Sequence, residues 1–475
     1  MKLLFETESK TVPITREMVR SAYRKVKSNQ GSAGVDKESL EDFQQDLSGN
    51  LYKIWNRLAS GSYYPQPVRE VEIPKSNGGK RKLGIPTVGD RIAQQVIKTY
   101  LEPRLESVFH KDSYGYRPMK SAHQAIKQVQ ENVHNYGWVI DMDIKSYFDE
   151  VDHELLMKAL DRHVEEKWVK MYIRRWLESP VQSKDGNLIE KQGRGTPQGG
   201  VISPLLANLY LHYVLDRWLE LRYPRMVFVR YADDIVVHCQ SEAEAIKVLG
   251  EIRSRLQECH LRLNETKTKI VYCKDYRRKE KKGYGNKFDF LGFSFQPRIY
   301  RSKREKGSLF LGYGCEMSQK VITKVVDEWR QRKWHRQSDL SLQAIAIRIN
   351  TQMRGLINYF GGINSIGLHK LIRQLHFRIA KWAMNKYKRF RGHYGKAYKW
   401  LKEIKTSYPN MFYHWTVYNW MQWVFHTHSL NPLKFLYMKT LKTLLFFHPK
   451  MEVRNLYPHN RLAESCNIGP WFLQH

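Results

Sequence analysis

Apolar residues recur at every third or fourth position over several stretches of the chain, which predicts amphipathic helices. These stretches are residues 14–26, 40–58, 90–109, 202–215, 321–329 and 368–382. Basic residues lie in and just after the last stretch, so we expect a separate, basic helical domain over residues 310–415. The aromatic and histidine residues of 416–475 follow no clear period, and no fold is predicted for them.

Short apolar stretches bounded by turn residues predict strands. They are residues 68–74 and 82–85, which flank a polar turn at 76–79; residues 138–144; and residues 226–237, which form two strands around a tight turn. The charged segments 276–287 and 298–307 flank the apolar block 288–295, and we expect both to be solvated loops.

The charge of the chain points to a polyanionic partner. Its 475 residues include 80 Lys and Arg against 47 Asp and Glu, a net charge of +33. The length suggests roughly three domains. A hydrophobic share of 42% argues against disorder, so the excess positive charge lies on the surface of a folded protein. Such a surface suits a nucleic-acid backbone better than a small acidic substrate.

Other features exclude several classes of protein. The apolar run in the N-terminal MKLLFETESK is too short for a signal peptide. No run of apolar residues in the sequence is long enough to span a membrane. The five cysteines are scattered without a CxxC pair, so we expect neither a disulfide framework nor a structural zinc site. A reducing cytoplasm is the expected location, and no membrane partner is expected.

The strongest candidate chemistry is a set of aspartates at strand ends. Asp233 and Asp234 lie between two apolar strands, where adjacent carboxylates are costly unless a cation neutralises them. Asp141 and Asp143 lie on one face of the strand 138–144, because side chains alternate along a strand. If the strands pair, Asp143 faces the other two. Three carboxylates form a site for Mg²⁺, and two ions could activate a primer 3′-hydroxyl and stabilise pyrophosphate. The alternative is that these residues cap turns and strand ends.

The motifs of the chain resemble those of the group II intron reverse transcriptases, also called intron-encoded maturases, over about residues 14–415. They occur in the family's order and are Gly34-Val35-Asp36, Ile73-Pro74-Lys75, GGKRKLGIP (78–86), YGYRP (114–118), DIKSYFD (143–149), GTPQGGVISPLLAN (195–208), YADD (231–234), LNETKTK (263–269) and FLGF (290–293), with GLINY (355–359) in the helical region.

The resemblance implies an α+β right-hand polymerase. Fingers and palm, with an antiparallel palm sheet, would occupy residues 1–300, a helical thumb or maturase domain 310–415, and an extension of unknown role 416–475. The implied activity is that of an RNA-directed DNA polymerase that also assists splicing and mobility of its intron. The implied partners are structured intron RNA, an RNA template with a DNA primer, target DNA and deoxynucleoside triphosphates. The oligomeric state is left open, as monomer or homodimer.

The resemblance also implies roles for individual residues. Catalysis and the binding of two Mg²⁺ ions fall to Asp143, Asp233 and Asp234, with the backbone carbonyl of Ile144 as a further ligand. The implied nucleotide-binding residues are Lys75, Arg81, Phe148 and Gln198. Lys267 is a candidate general acid, although Lys269 is nearby and a solvated lysine is the alternative. The candidate template or RNA contacts are Arg117, Arg378, Lys381 and Lys388; Arg117 could equally be structural, and the other three could be solvated charge.

Other functions compete with this interpretation. Nothing in the sequence resembles the HNH nuclease that many family members carry, so target cleavage is not expected and a primer would come from a replication fork or another nick. The spacing of His426 and His428 is poor for zinc. A domesticated, defence or CRISPR-associated reverse transcriptase shares the same ancestry. The chain could also act mainly as an RNA-binding splicing cofactor, a role that needs no carboxylate cluster.

Overall fold

A computed structural model describes residues 12–74, 79–279, 281–302 and 308–417. The chain divides into two compact units, the first ending at Cys315 and the second beginning at Glu316. The domain limits expected from the sequence, 1–300 and 310–415, stay predictions. The extension 416–475 lies outside the described residues from position 418 onward.

The first unit combines eleven α-helices and most of the strands. Its helices are α1 (Arg16–Asn29), α2 (Leu40–Gln45), α3 (Leu47–Ala59), α4 (Val88–Glu106), α5 (Ala122–Asn135), α6 (Tyr147–Glu150), α7 (His153–Asp161), α8 (Lys167–Glu178), α9 (Ser203–Leu211), α10 (Arg217–Arg222) and α11 (Glu242–Glu258). A π-helical turn, His212–Asp216, joins α9 to α10. The predicted helix 40–58 is divided at Asp46, whose side chain accepts from the Gly49 amide and starts α3.

In the described part of the chain, eleven strands form three sheets. They are β1 (Val68–Pro74), β2 (Lys80–Ile85), β3 (Trp138–Asp143), β4 (Val181–Gln182), β5 (Leu188–Ile189), β6 (Val227–Tyr231), β7 (Asp234–Cys239), β8 (Lys269–Tyr272), β9 (Phe288–Phe290), β10 (Phe293–Arg301) and β11 (Leu309–Met317). The central sheet has the order β6-β7-β3-β8, the outer sheet β2-β1-β4-β5, and the hairpin sheet β11-β10-β9.

The central sheet is antiparallel and places β3 between β7 and β8. Alternation sends Trp138, Ile140 and Met142 into the main hydrophobic core. Helix α11 packs against β3 and β7. Asp143, on the opposite face, pairs directly with Asp234. The predicted pairing of these two strands is confirmed.

A buried ion pair anchors the turn between β6 and β7. Arg230 and Asp216 have no exposed side-chain surface, and Arg230 Nε donates to Asp216 Oδ1 at 2.7 Å. Arg230 Nη1 also donates to Asn208 Oδ1 at 3.0 Å and to the Ala232 carbonyl at 3.1 Å. Removal of either charged partner would leave an uncompensated buried charge, at a cost of about 3–5 kcal/mol. The pair therefore joins the turn firmly to α9 and the π-helical turn.

The outer sheet is joined to the loop that precedes α9. The Gly84 amide of β2 donates to the Gln198 carbonyl at 2.8 Å. Gly199 has φ +128°, and a Cβ there would lie 2.6 Å from the Gly84 carbonyl oxygen. A residue with a side chain could not make this approach, so glycine is required in the loop.

The hairpin sheet corrects one prediction. Residues 298–301 were expected in a solvated loop, but they form the end of β10 and pair with β11. The charged side chains misled the prediction, because a strand at a surface can carry charge on its exposed positions. Segment 276–287 consists mainly of turns, as expected.

The second unit is helical in its described part. It contains α12 (Gln319–Gln331), α13 (Leu342–Phe360), α14 (Ile366–Lys386) and α15 (Tyr394–Ser407). The indole of Trp329 donates to Gln352 Oε1 at 2.9 Å and ties α12 to α13. Lys386 donates to the carbonyls of Ser338 and Leu340, each at 2.8 Å. Among the described residues, every helix falls short of the length and apolar character that a membrane crossing requires.

We predict that Gly115→Ala destabilises the first unit by about 1–3 kcal/mol. A Cβ at Gly115 would clash with the Ala232 backbone nitrogen and lie 3.0 Å from the Tyr231 carbonyl carbon, so the β6–β7 turn would have to move. Thermal unfolding monitored by circular dichroism measures the effect.

The matched control is Gly250→Ala within α11, where an added Cβ meets nothing within 4 Å. This change should stabilise the helix by about 0.5–1 kcal/mol. Equal stability of the Gly115→Ala variant and the wild type would show that the close approach does not hold the turn.

Candidate active site

Three carboxylates meet at one end of the central sheet. Asp143 is the last residue of β3, Asp234 is the first residue of β7, and the two are paired in register. Asp233 lies in the two-residue turn, next to Ala232 with φ +56°. A left-handed conformation costs roughly 1–2 kcal/mol for a residue other than glycine. The surrounding hydrogen bonds therefore hold a strained turn that brings Asp233 beside the other two.

Burial makes Asp233 and Asp234 hard to ionise. Burial is the largest cause that raises the pKa of Asp233, and the charge of Asp143 adds to it. Burial also raises the pKa of Asp234 well above its usual value, with further contributions from Asp233 and Asp143. Like charges at short range disfavour ionisation, so the cluster is stable as carboxylates when a cation lies among them.

In the structure, the ammonium of a lysine partly neutralises the carboxylate cluster. Lys267 Nζ lies 3.1 Å from both carboxylate oxygens of Asp143. The Asn264 side chain donates to Asp143 Oδ2 at 2.8 Å. Lys269 is directed elsewhere, with Nζ 3.6 Å from Asp141 Oδ2. The two lysines that the sequence could not separate therefore contact different carboxylates, and Lys267 is the one at the cluster.

The Ile144 carbonyl faces the same side as the turn. Ile144 pairs with Leu263, but its neighbours make the hydrogen bonds around this bridge. The Asn264 amide donates to the Asp143 carbonyl, and the Lys145 amide donates to the Arg262 carbonyl. In an antiparallel ladder the intervening residue directs its own amide and carbonyl to the other side. That side is the one on which β7 begins at Asp234.

The donor set suits a hard divalent cation. Carboxylate and carbonyl oxygens are the ligands that Mg²⁺ prefers. Among the described residues, no three acidic, histidine or cysteine side chains already have the spacing of a metal site. Since Lys267 occupies the Asp143 carboxylate, it would have to release these oxygens before they could coordinate a metal.

Of the predicted nucleotide-binding residues, Arg81 acts electrostatically on this cluster. Arg81 lies on β2, and its positive charge opposes the burial that raises the pKa of Asp233. Gln198 is half-buried beside β2. Phe148 is half-buried against the main core, and its carbonyl accepts from the Thr196 amide at 2.7 Å. Lys75 lies outside the described residues.

The side chain of Arg117 is bonded within the fold. Its guanidinium is buried and donates to the Glu106 carboxylate, with Nη2–Oε1 at 2.6 Å. Nη1 donates to the carbonyls of His110 and Ser113 at 2.6 and 2.7 Å. These bonds hold the guanidinium within the fold, which favours the structural alternative, and the template contact stays a prediction.

The three basic residues predicted in the thumb lie in the second unit, on and just after α14. Lys381 and Lys388 are exposed, whereas Arg378 is half-buried and donates to the Gln374 carbonyl at 2.9 Å. Burial lowers the pKa of nearby His335, and the charges of Lys381 and Arg378 contribute. The surface around Lys381 is therefore strongly positive.

Sequence reasoning did not assign roles to Asn264, Arg230 or Asp216. Asn264 lies in the same motif as Lys267, so its place beside Asp143 could have been suspected. Arg230 directly precedes the YADD motif, where an arginine in an apolar strand signals a buried partner. Nothing local identifies that partner as Asp216, 14 residues earlier in the chain.

Two families match the chain. Residues 73–295 match the family described as reverse transcriptase (RNA-dependent DNA polymerase). Residues 322–400 match the group II intron, maturase-specific domain. The two matches fall in different compact units, since the division lies at residues 315 and 316.

Similar proteins include two from bacteria. Protein YkfC of Escherichia coli is 36% identical over 301 residues, which cover 54% of this chain and 78% of YkfC. The group II intron-encoded protein LtrA of Lactococcus lactis is 36% identical over 201 residues, 42% of this chain, and the chain spans a third (33%) of LtrA. Among solved structures, that of telomerase from Candida albicans is similar to this chain with a TM-score of 0.42 and 12% identity. The similarity covers 82% of this chain and 68% of the telomerase chain.

The family matches agree with the α+β fold, the helical second unit and the order of motifs along the chain. Together they imply binding of RNA and of a template with its primer. The chain belongs to the group II intron-encoded reverse transcriptases and maturases.

Proposed function

We propose that this protein copies RNA into DNA at the Asp143, Asp233 and Asp234 cluster and binds a structured intron RNA to assist splicing and mobility. One observation carries the proposal: in a chain that matches both families, the register of β3 and β7 sets Asp143 opposite Asp234 and beside Asp233. An RNA-binding protein with a net charge of +33 gains nothing from such a buried acidic cluster.

Enzymes of this family generally depend on a divalent metal ion. The three carboxylates and the Ile144 carbonyl would hold two Mg²⁺ ions. When bound, these supply activation of the primer 3′-hydroxyl and stabilise the charge on the leaving pyrophosphate. Lys267 releases Asp143 as the cluster is neutralised, and its side chain, 55% exposed, is free to turn towards the phosphates. Its ammonium then donates a proton to pyrophosphate.

The remaining residues bind and orient the nucleotide. Arg81, electrostatically close to Asp233, binds the triphosphate, and Lys75 assists it. Gln198 contacts the sugar from a loop that is hydrogen-bonded to β2. Phe148 packs beneath the sugar and excludes a 2′-hydroxyl.

The basic surface near Lys381 and Lys388 would bind the phosphate backbone of the intron RNA. An A-form helix is recognised mainly through its backbone and 2′-hydroxyls, so the protein would read RNA structure more than base sequence. Insertion into target DNA would use a primer from a fork or nick. A cytoplasmic location stays a prediction.

Asp233→Asn should abolish DNA synthesis. Loss of one carboxylate removes several kcal/mol of charge stabilisation in the transition state, so primer extension on an RNA template should fall by more than about 100-fold. The control is Asp185→Asn in the exposed turn between β4 and β5, which should extend at the wild-type rate.

Splicing of the intron RNA should persist in the Asp233→Asn variant. Equal loss of splicing and synthesis, with the thermal unfolding midpoint unchanged, would contradict the separation of the two roles. Absence of extension in the wild type, with tight RNA binding retained, would favour the splicing-cofactor function.

Lys267→Ala should have two opposite effects. Loss of the proton donor should slow single-nucleotide incorporation by about 100-fold. The half-saturating Mg²⁺ concentration should fall, because the ammonium that competes for Asp143 is gone. Lys269→Ala, which loses a contact to Asp141 instead, should retain the incorporation rate. A normal rate in Lys267→Ala would eliminate the general-acid role.

RNA binding should weaken steeply with salt. Lys381→Ala and Lys388→Ala should each reduce the slope of log K against log salt by about 1, because each removes one phosphate contact. Lys170→Ala is the control, since its ammonium lies 2.8 Å from Asp161. Filter binding of intron RNA at several salt concentrations measures the slopes, and unchanged slopes in both thumb variants would refute the assignment.

A further inference from the structure

A row of exposed aromatic rings lies at the outer end of the β10–β11 hairpin. Tyr276, Phe310 and Tyr300 are 67%, 39% and 37% exposed. The ring centroids of Tyr276 and Phe310 are 5.8 Å apart, and those of Phe310 and Tyr300 are also 5.8 Å apart. Three contiguous rings at a surface are unusual, because large aromatic side chains are normally buried for most of their area.

The backbone is shaped to hold these rings outward. The Tyr300 ring lies across Gly312 and Gly314 of β11, and a Cβ at Gly312 would come 2.8 Å from Tyr300 Cδ2. The Tyr276 amide donates to the Leu311 carbonyl at 2.8 Å, which ties this residue to the edge of the same strand. Without side chains beneath it, the Tyr300 ring lies flat on the strand, and its outer face is directed to solvent.

The charges around the rings are almost all positive. The described residues of 275–302 contain two acidic side chains: Asp275, which is buried and accepts from Arg277 Nη2 at 2.6 Å, and Asp289, which is half-buried and accepts from Ser294. The Arg277 guanidinium lies 5.8 Å from the Tyr276 ring centroid, and Arg301 at the end of β10 is exposed. The cations of this segment are Arg277, Arg278, Lys279, Lys281, Lys282, Lys287, Arg298 and Arg301.

The rings lie away from the catalytic carboxylates. Strand β9 is near the cluster, since the charge of Asp289 acts on Asp141. Phe293 at the start of β10 pairs with Phe290 of β9. Tyr300 follows seven residues later, about 23 Å along the strand. The row is therefore a surface separate from the proposed polymerase site.

We propose that Tyr276, Phe310 and Tyr300 form a binding site for single-stranded RNA, on which unpaired bases stack while Arg301 contacts the phosphates. Rings interleaved with cations are the features that bind single strands without base preference. Bases in a duplex are stacked on one another and cannot use the rings. The proposed function guides the choice of an RNA probe, but the site itself needs no polymerase activity.

The positive charges around the row of rings also argue against its occupation by the C-terminal part of the chain. Residues 418–475 contain six Lys and Arg against two Asp and Glu, a net charge of +4. A basic segment would be repelled by the cations around the rings, whereas a nucleic-acid backbone complements them.

Fluorescence anisotropy with a labelled, unstructured 12-nucleotide RNA tests the proposal. The full chain carrying Tyr276→Ala and Phe310→Ala should bind this RNA about tenfold more weakly than the wild type. Binding of a blunt RNA duplex of the same length should be unchanged. No deoxynucleotides are present, so the result does not depend on primer extension.

Two variants separate stacking from apolar contact. Ile299→Ala with Leu309→Ala removes side chains that are 71% and 65% exposed on the same hairpin, but no ring, and should bind as the wild type does. Tyr276→Phe with Phe310→Tyr keeps both rings and should also retain affinity. The tenfold difference should persist at higher salt, because stacking does not depend on released counterions.

Crosslinking locates the RNA directly. A 4-thiouridine oligomer should attach to the peptides that contain Tyr276 or Phe310, as identified by mass spectrometry. The proposal is overturned if the ring variants bind single strands normally, if they lose single-strand and duplex binding equally, or if the crosslinks fall elsewhere. A lowered unfolding midpoint with unchanged RNA binding would show that the rings serve only to stabilise the hairpin.

Discussion

Mutual repulsion of three carboxylates is the constraint on which the active site depends. Burial and the proximity of like charges raise the pKa values of Asp233 and Asp234, so the ionised cluster requires a cation. Lys267 supplies a positive charge to Asp143. In the proposed mechanism, metal ions would have to displace this lysine, and the lysine would then act on the substrate phosphates.

The strained turn that carries Asp233 persists because the rest of the first unit holds it. Arg230 binds Asp216 and the Ala232 carbonyl from within the core, and Gly115 allows a second segment to approach the turn from outside. The loop of Gln198 is fixed to β2 by a backbone hydrogen bond, which carries Arg81 towards the same region. Residues scattered over more than a hundred positions thereby converge on one end of the central sheet.

The two compact units divide the chemistry of the chain. The first contains the carboxylate cluster and the exposed rings of the β10–β11 hairpin, and the second contains the basic surface around Lys381. In the proposed functions, positive charge would contact the phosphate backbone in both units, whereas the aromatic rings would add contacts to bases. A protein that binds folded RNA and copies it needs both kinds of contact, because paired and unpaired nucleotides present different surfaces.

The sequence alone determined the strands β3, β6 and β7, the helices α1 to α4, α9, α12 and α14, the α+β class and the family, because apolar periodicity and motif order are local properties of the chain. It did not distinguish Lys267 from Lys269 or predict the ion pair between Arg117 and Glu106. It also misplaced residues 298–301, whose charges resemble those of a loop. Partners distant in sequence, such as Arg230 with Asp216, were decided only by the tertiary structure, since burial and hydrogen-bond geometry exist only once separate segments pack together.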